Sequence, residues 1–252
     1  MSHSVINRTE MVGASLNLGG QPLDLTEYST TGLMALAVGP RGFGKTNAGL
    51  LMAEQLSEQG WVSVLIDPEG ELESVYGAAV ADAEELCQRL TLRDVPIVVV
   101  SAKDALDFIP YGQVILEVAD ELRKPLFVCI DEGQLFSAAR KRADGVGEAC
   151  DIIAQFAERG RKRALDLFVT ALRYTGTLHR TMFSNPNLKL IGAQEDPTAW
   201  SALAPMFRSS GIEFKDLNAL GPGEFVLFSR RGIEKAKMPM AEGLKKVAPK
   251  AK

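Results

Sequence analysis

The sequence is poor in the residues that usually build redox or metal chemistry, with two histidines and three cysteines among 252 residues. His3 and His179 stand alone, so imidazole supplies neither a catalytic nor a metal-binding constellation. Cys87, Cys129 and Cys150 are odd in number and lack metal-ligand spacing, and Cys129 sits inside an apolar stretch, where it reads as a small core residue. Long apolar runs are also missing. The longest, at residues 33–38 and 126–130, fall far short of the ~20 residues that cross a bilayer. The first residues, Met1-Ser2-His3-Ser4-Val5-Ile6-Asn7-Arg8, are polar and carry no secretory stretch. The expectation is a protein with no membrane partner that acts in the cytoplasm, cellular or virus-encoded.

No sign of charge dominates either. Lys and Arg number 28 against 32 Asp and Glu, for a net charge of -4, so any nucleic acid must be held by a local basic surface rather than by the molecule as a whole. With 46% hydrophobic residues and a mean hydropathy of +0.02, the composition is that of an ordinary globular protein with one sizeable core. No internal repeat or second core is evident. The last stretch, Lys245-Lys246-Val247-Ala248-Pro249-Lys250-Ala251-Lys252, is rich in Lys, Ala and Pro and is expected to be disordered.

What the sequence does contain is a phosphate-binding loop. Gly39-Pro40-Arg41-Gly42-Phe43-Gly44-Lys45-Thr46 fills every fixed position of that motif. The glycines let the backbone wrap closely around phosphate oxygens, and the helix that follows, starting at Asn47, points its positive end at them. Lys45 is placed to reach the β- and γ-phosphates and Thr46 to put its hydroxyl on Mg²⁺. Residues 39–47 are therefore the expected ATP-binding segment. A second motif follows the apolar run Leu126-Phe127-Val128-Cys129-Ile130, which delivers Asp131 and Glu132 at the carboxyl end of a predicted central strand. Asp131 is the expected Mg²⁺ partner with Thr46, and Glu132 the base that orients and deprotonates the attacking water.

Between these motifs the chain alternates apolar runs with helical stretches. Strands are predicted at 33–38, 62–66, 97–100, 126–130, 167–171 and 188–191, and helices near 47–59, 81–90, 112–122 and 147–158. That alternation implies an α/β fold whose largely parallel sheet is covered on both faces. Short hairpins are predicted at each end, one from residues 16–18 and 23–25 around Gly19-Gly20, the other from 224–229 and 233–238.

Taken in order, the motifs resemble the HerA/FtsK superfamily of P-loop ATPases, ring-forming motors that pump or thread DNA. The lead-in segment 16–31 resembles the hairpin preceding their phosphate loop, and Asp67-Pro68-Glu69-Gly70-Glu71 their Asp-Pro-x-Gly-Glu motif. Asp131-Glu132-Gly133-Gln134-Leu135-Phe136 is similar to their acidic pair with its following turn and aromatic residue. Arg159-Gly160-Arg161-Lys162-Arg163 resembles the Arg-Gly-Arg-Lys stretch entering the fourth strand, and Gly221-Pro222-Gly223-Glu224 the closing Pro-Gly-Glu turn. The resemblance implies a RecA-like P-loop NTPase domain over residues 31–240, preceded by a hairpin segment over 1–30 and followed by a flexible basic tail over 241–252. It also implies ATP and Mg²⁺ as cofactors, a ring homo-oligomer, expected as a hexamer, double-stranded DNA as cargo, and a capsid, portal or nuclease as further partner. Compact members of the superfamily include those that package genomes into viral capsids.

The resemblance favours Arg161 as a catalytic finger acting in trans on a neighbouring subunit's γ-phosphate. Contact with DNA phosphates, or a basic helix end that complements the helix dipole, remain alternative readings of the same cluster. Arg140-Lys141-Arg142 lies in a polar loop that would line a pore or be simply solvated. Asp67 and Glu69 would either couple nucleotide state to movement or cap a turn. One departure from the family pattern stands out: Leu172 occupies the place of the γ-phosphate-sensing Gln, leaving Thr170, Arg173 or Gln194 as the candidate substitutes. Loss of that Gln keeps a nucleotide-gated switch or scaffold, and a motor with protein cargo, beside the DNA motor as readings.

Overall fold

The computed structural model describes residues 14–138, 143–174, 176 and 178–247, and the side chains of residues 159 and 161 lie outside that set. Arg140, Lys141 and Arg142, and the tail beyond 247, are likewise outside the described residues.

Ten strands are present among these residues. β1 (Ser15–Leu16) and β2 (Leu23–Asp24) form a separate antiparallel hairpin. It is shorter than the sequence alternation suggests, because Asp24, paired with Ser15, also caps a 3-10 turn at Leu25–Tyr28, its carboxylate accepting the Thr26 N–H. The main sheet comprises β3 (Met34–Val38), β4 (Val62–Asp67), β5 (Ile97–Ser101), β6 (Leu126–Ile130), β7 (Leu165–Ala171), β8 (Leu188–Ile191), β9 (Glu224–Ser229) and β10 (Gly232–Lys237). Its spatial order is β10-β9-β8-β3-β7-β6-β4-β5, parallel from β8 to β5 and antiparallel where β9 and β10 are added. β3, β4, β6, β7 and β8 are buried at every position, which is why their sequences read as continuous apolar runs rather than alternations. The C-terminal hairpin expected from the sequence is therefore an extension of the main sheet through β8, not an appendage.

The helices are α1 (Lys45–Glu58), α2 (Glu73–Tyr76), α3 (Ala83–Leu92), α4 (Ala105–Leu122), α5 (Val146–Arg163), α6 (Thr181–Ser184), α7 (Pro197–Phe207), α8 (Phe214–Asn218) and α9 (Glu242–Val247). One sheet face carries a core built with Leu86 of α3, Phe108 and Ile115 of α4, Phe156 of α5 and Phe207 of α7. The other is covered by α1, the β1–β2 hairpin and the C-terminal segment. α4 begins seven residues earlier than predicted, before Pro110, because Asp104 caps it by accepting the N–H groups of Leu106 and Asp107, while Ala105 and Phe108 are buried. Cap and burial together outweigh the bond that Pro110 removes. α5 runs on past 158 to Arg163, so the basic cluster is the last turn of a helix rather than an extended lead into β7.

α1 lies close to the sheet because Gly49 faces it. A Cβ at this position would sit 2.6 Å from Cys129 Sγ and 2.8 Å from the Phe168 ring. Alanine improves helix propensity by about 1 kcal/mol, yet overpacking a dense core costs about 1–3 kcal/mol, so the contact term is expected to win. We expect Gly49→Ala to lower the urea midpoint at unchanged m-value; a rise in midpoint would show that the helix does not pack this tightly.

Candidate nucleotide site

The phosphate loop spans the gap between β3 and α1, at the carboxyl edge of the parallel strands. Gly42 and Gly44 have φ of 69° and 91°, values that a side chain resists, so their identity is required by the path of the loop. Phe43, one of the loop's variable positions, turns inward. Its ring is buried, meets Phe225 edge-on at 5.7 Å, and lies against Gly192, where any Cβ would come within 2.7 Å of it. Its carbonyl accepts the N–H of Gly223, which ties the loop to the closing Gly221-Pro222-Gly223-Glu224 turn. The motif places Phe43 in the loop without this anchoring role, for which an aromatic amid glycines is the available signal.

Lys45 is 8% exposed and its Nζ donates to the Pro40 carbonyl at 2.8 Å. Burial pulls its pKa below the usual lysine value, against the opposing pull of the Asp131 and Glu132 carboxylates. Arg41 is 79% exposed and its guanidinium lies 3.9 Å from Glu132 Oε1, a loose contact that leaves it turned to solvent.

β7 separates the loop strand β3 from the acid strand β6, and Thr170 of β7 fills the space between them. The Thr46 hydroxyl donates to Asp131 Oδ2 at 2.8 Å, and the Thr170 hydroxyl donates to Asp131 Oδ1 at 2.6 Å. Thr170 Oγ1 in turn accepts the backbone N–H of Glu132 at 2.9 Å. Glu132 is in the left-handed region, φ 46° and ψ 48°, and leads into a 3-10 turn at Gly133–Leu135. A Cβ on Gly133 would lie 2.3 Å from Val169 Cγ1, so this glycine lets the turn settle onto β7. The phosphate loop, Asp131 and Glu132 thus share one edge of the sheet, as the motifs require.

Three other expected residues fall into structural roles. Asp67 is 4% exposed and accepts the N–H groups of Glu69, Gly70 and Leu72, which closes the Asp67–Leu72 turn as the capping reading expects. Arg163 is bound through Nε and a terminal nitrogen to the two carboxylate oxygens of Asp120, which joins the end of α5 to α4. The Asn47 side chain donates to the Pro239 carbonyl at 2.8 Å and accepts the Ala241 N–H at 2.8 Å, so it holds the C-terminal segment. Residues Glu242–Val247, within the stretch expected to be a tail, form α9, whose first N–H groups bond to Glu54 of α1.

Of the candidate sensor substitutes, Arg173 and Gln194 line a cleft of about 440 Å³ beside Pro40, together with Leu172, Glu195 and Asp196. The Gln194 amide nitrogen donates to the carbonyls of Ala193, at 2.9 Å, and Gly192, at 3.4 Å. Thr170 hydrogen-bonds to both members of the acid pair.

This arrangement is the site of a RecA-like P-loop NTPase fold. The fold is shared with the genome-packaging NTPase B204 of Sulfolobus turreted icosahedral virus 2 in complex with ATPγS, at TM-score 0.63 and 15% identity, over 82% of this chain and 98% of that one. It is shared as well with the pCW3 conjugation coupling protein TcpA, at TM-score 0.66 and 14% identity over 97% and 70% of the two chains. EccC of Thermomonospora curvata, solved with a signal sequence peptide, gives TM-score 0.58 and 13% identity over 96% of this chain and 43% of that one. The fold of these structures agrees with the one that the motifs imply. No family model matches the sequence, and no curated protein is similar to it in sequence.

Asn47→Ala removes both bonds to the C-terminal segment. At about 0.5–1.5 kcal/mol for each such bond, partly offset by water at an exposed site, we expect a loss of about 1 kcal/mol and faster amide exchange at residues 239–243. Nucleotide affinity should change little. A fall in affinity with unchanged exchange would return Asn47 to the nucleotide site.

Proposed function

We propose that this protein binds ATP with Mg²⁺ and hydrolyses it, and that it does so as an oligomeric motor moving double-stranded DNA. The observation that carries the first part is the convergence of Thr46 and Asp131 at 2.8 Å beside the buried Lys45. A hydroxyl and a carboxylate at this spacing are the hard oxygen donors that suit Mg²⁺, and a lysine buried against a backbone carbonyl suits an anionic phosphate. In this reading Thr46 and Asp131 would hold the metal. Bound Mg²⁺ would supply positive charge to the phosphate oxygens. Lys45 orients the β- and γ-phosphates, and the loop backbone from Gly39 to Thr46 cradles them. Glu132 orients the attacking water and takes its proton.

The DNA and ring assignments rest on the motif resemblance and on the kinds of protein that share the fold. A genome-packaging NTPase and a conjugation coupling protein are among them. A type VII secretion ATPase shares the fold too, which supports protein cargo as the second reading. Capsid, portal or nuclease partners belong with the packaging reading.

The site is tested by two variants with different expected phenotypes. Lys45→Ala removes the cation from the phosphates and should lose both turnover and most nucleotide affinity. Glu132→Gln keeps shape and metal site but cannot accept the proton, so it should bind ATP and turn over at least ~100-fold more slowly. Equal loss of binding in both would make Glu132 structural. Duplex DNA should stimulate the wild-type rate, with an affinity that falls steeply with salt and depends little on sequence.

Arg161 is proposed as the finger that reaches a neighbour's γ-phosphate, with its partner Arg163 already committed to Asp120. Arg161→Ala should bind ATP normally and hydrolyse it slowly, and mixing it with Lys45→Ala should restore some activity at interfaces that combine an intact loop with an intact finger. Full activity of the single variant would remove Arg161 from catalysis, and absence of rescue in proven mixed oligomers would place its effect within one subunit.

A further inference from the structure

We propose that Thr170 is the positioning residue of the acid pair, holding the Asp131 carboxylate and the Glu132 backbone in one fixed relation in place of the missing sensor Gln. The proposal rests on the reading of the site as one for Mg²⁺ and ATP.

The argument begins with what one hydroxyl can do. It has a single proton to give, and here the Thr170 oxygen also receives the Glu132 N–H at 2.9 Å. Its own proton must therefore go to the acceptor 2.6 Å away, Asp131 Oδ1. With Thr46 on Oδ2, the carboxylate is held by one oxygen from helix α1 and by the other from strand β7, and the planar group cannot rotate. A metal ion bound at Thr46 would be met by Oδ2, because Oδ1 is held by Thr170. Thr170 thus decides which oxygen of Asp131 faces the metal.

The same hydroxyl sets the second acid. Glu132 occupies a left-handed conformation that costs a non-glycine residue about 1–2 kcal/mol, so the turn needs restraint. Thr170 supplies it from one side and the contact of Gly133 with Val169 from the other. Thr170 is fully buried, where β-branched Val would be the ordinary occupant of a central strand, and the hydroxyl is the feature that a purely apolar role leaves unexplained. Leu172, at the position where the family carries its sensor, lies two residues on, just past the end of β7, and lines the cleft beside Pro40.

The test compares Thr170→Val, which removes the hydroxyl at nearly constant volume, with Thr170→Ser, which restores it. Binding of a fluorescent ATP analogue is titrated with Mg²⁺ and repeated in EDTA, and turnover is measured separately. Loss of an outer partner of a metal ligand typically costs 10–100-fold, so Thr170→Val should raise the half-saturating Mg²⁺ by about 10-fold and lower kcat by a similar factor, with metal-free nucleotide affinity unchanged. Thr170→Ser should recover most of both. Unchanged Mg²⁺ dependence in a folded Thr170→Val, or a Ser variant as impaired as Val, would overturn the proposal. Should Thr170→Val not fold, Thr170→Cys keeps the volume with a weaker donor and must show the same shift in Mg²⁺ dependence. The Mg²⁺ titration needs no turnover, so a wild-type protein that binds Mg²⁺ and nucleotide without hydrolysis refutes the ATPase reading and still tests Thr170.

Discussion

The site depends on a strand that contributes no motif. β7 lies between the strand that ends in the phosphate loop and the strand that ends in Asp131, so loop and acids are separated by one full strand spacing of about 4.8 Å on each side. Thr46 crosses that distance because it stands on α1, which starts over the sheet edge, and Thr170 meets Asp131 from β7 itself. A direct β3–β6 neighbourhood would leave no room for Thr170. The geometry of the candidate site is thus a consequence of strand order, and strand order follows from parallel pairings that bury every side chain of β3, β6 and β7.

Burial explains a second feature. Taking Lys45 out of water disfavours its charged form, and the two carboxylates nearby offset this only in part, since its pKa still falls. Its hydrogen bond goes to a neutral carbonyl, that of Pro40, rather than to Asp131 or Glu132. A buried cation with a neutral partner gains more from an incoming anion than one already paired with a carboxylate. The carboxylates are kept elsewhere, Asp131 by two hydroxyls and Glu132 by a turn that is pinned through its backbone.

How much of this was legible in the sequence differs by element. The parallel strands were, because continuous apolar runs of 4–7 residues bounded by turns have few other uses in a chain of this length. The phosphate loop and the Asp131-Glu132 pair were, because the motif spacing is itself the mechanism. Helix starts were less so: the helix expected from about 112 begins at Ala105, where the cap at Asp104 sets its start. That the basic cluster at 159–163 closes a helix was one of its readings, but nothing in it revealed that Arg163 is spent on Asp120, 43 residues away. Hydrogen bonds between distant segments have no local pattern, and the same limit hid the roles of Asn47 and Thr170.

The C-terminal segment shows where such distant bonds accumulate. Glu54 on α1 accepts the Glu242 and Gly243 N–H groups and also the Tyr76 hydroxyl, whose pKa is raised by burial and then by that bond. Gly243 packs so closely on Val75 and Tyr76 that a Cβ there would fall 2.6 Å from Val75 Cγ1. One carboxylate therefore joins the helix behind the phosphate loop, the α2 helix that follows the Asp67 turn, and the chain's C-terminal helix. The face of α1 opposite the sheet is closed by backbone groups of α9 rather than by apolar side chains alone, and this accounts for the ordering of a segment whose Lys-rich composition reads as a tail. Its stability comes from α1, and α1 in turn is held at both its first turn, through Asn47, and its third, through Glu54.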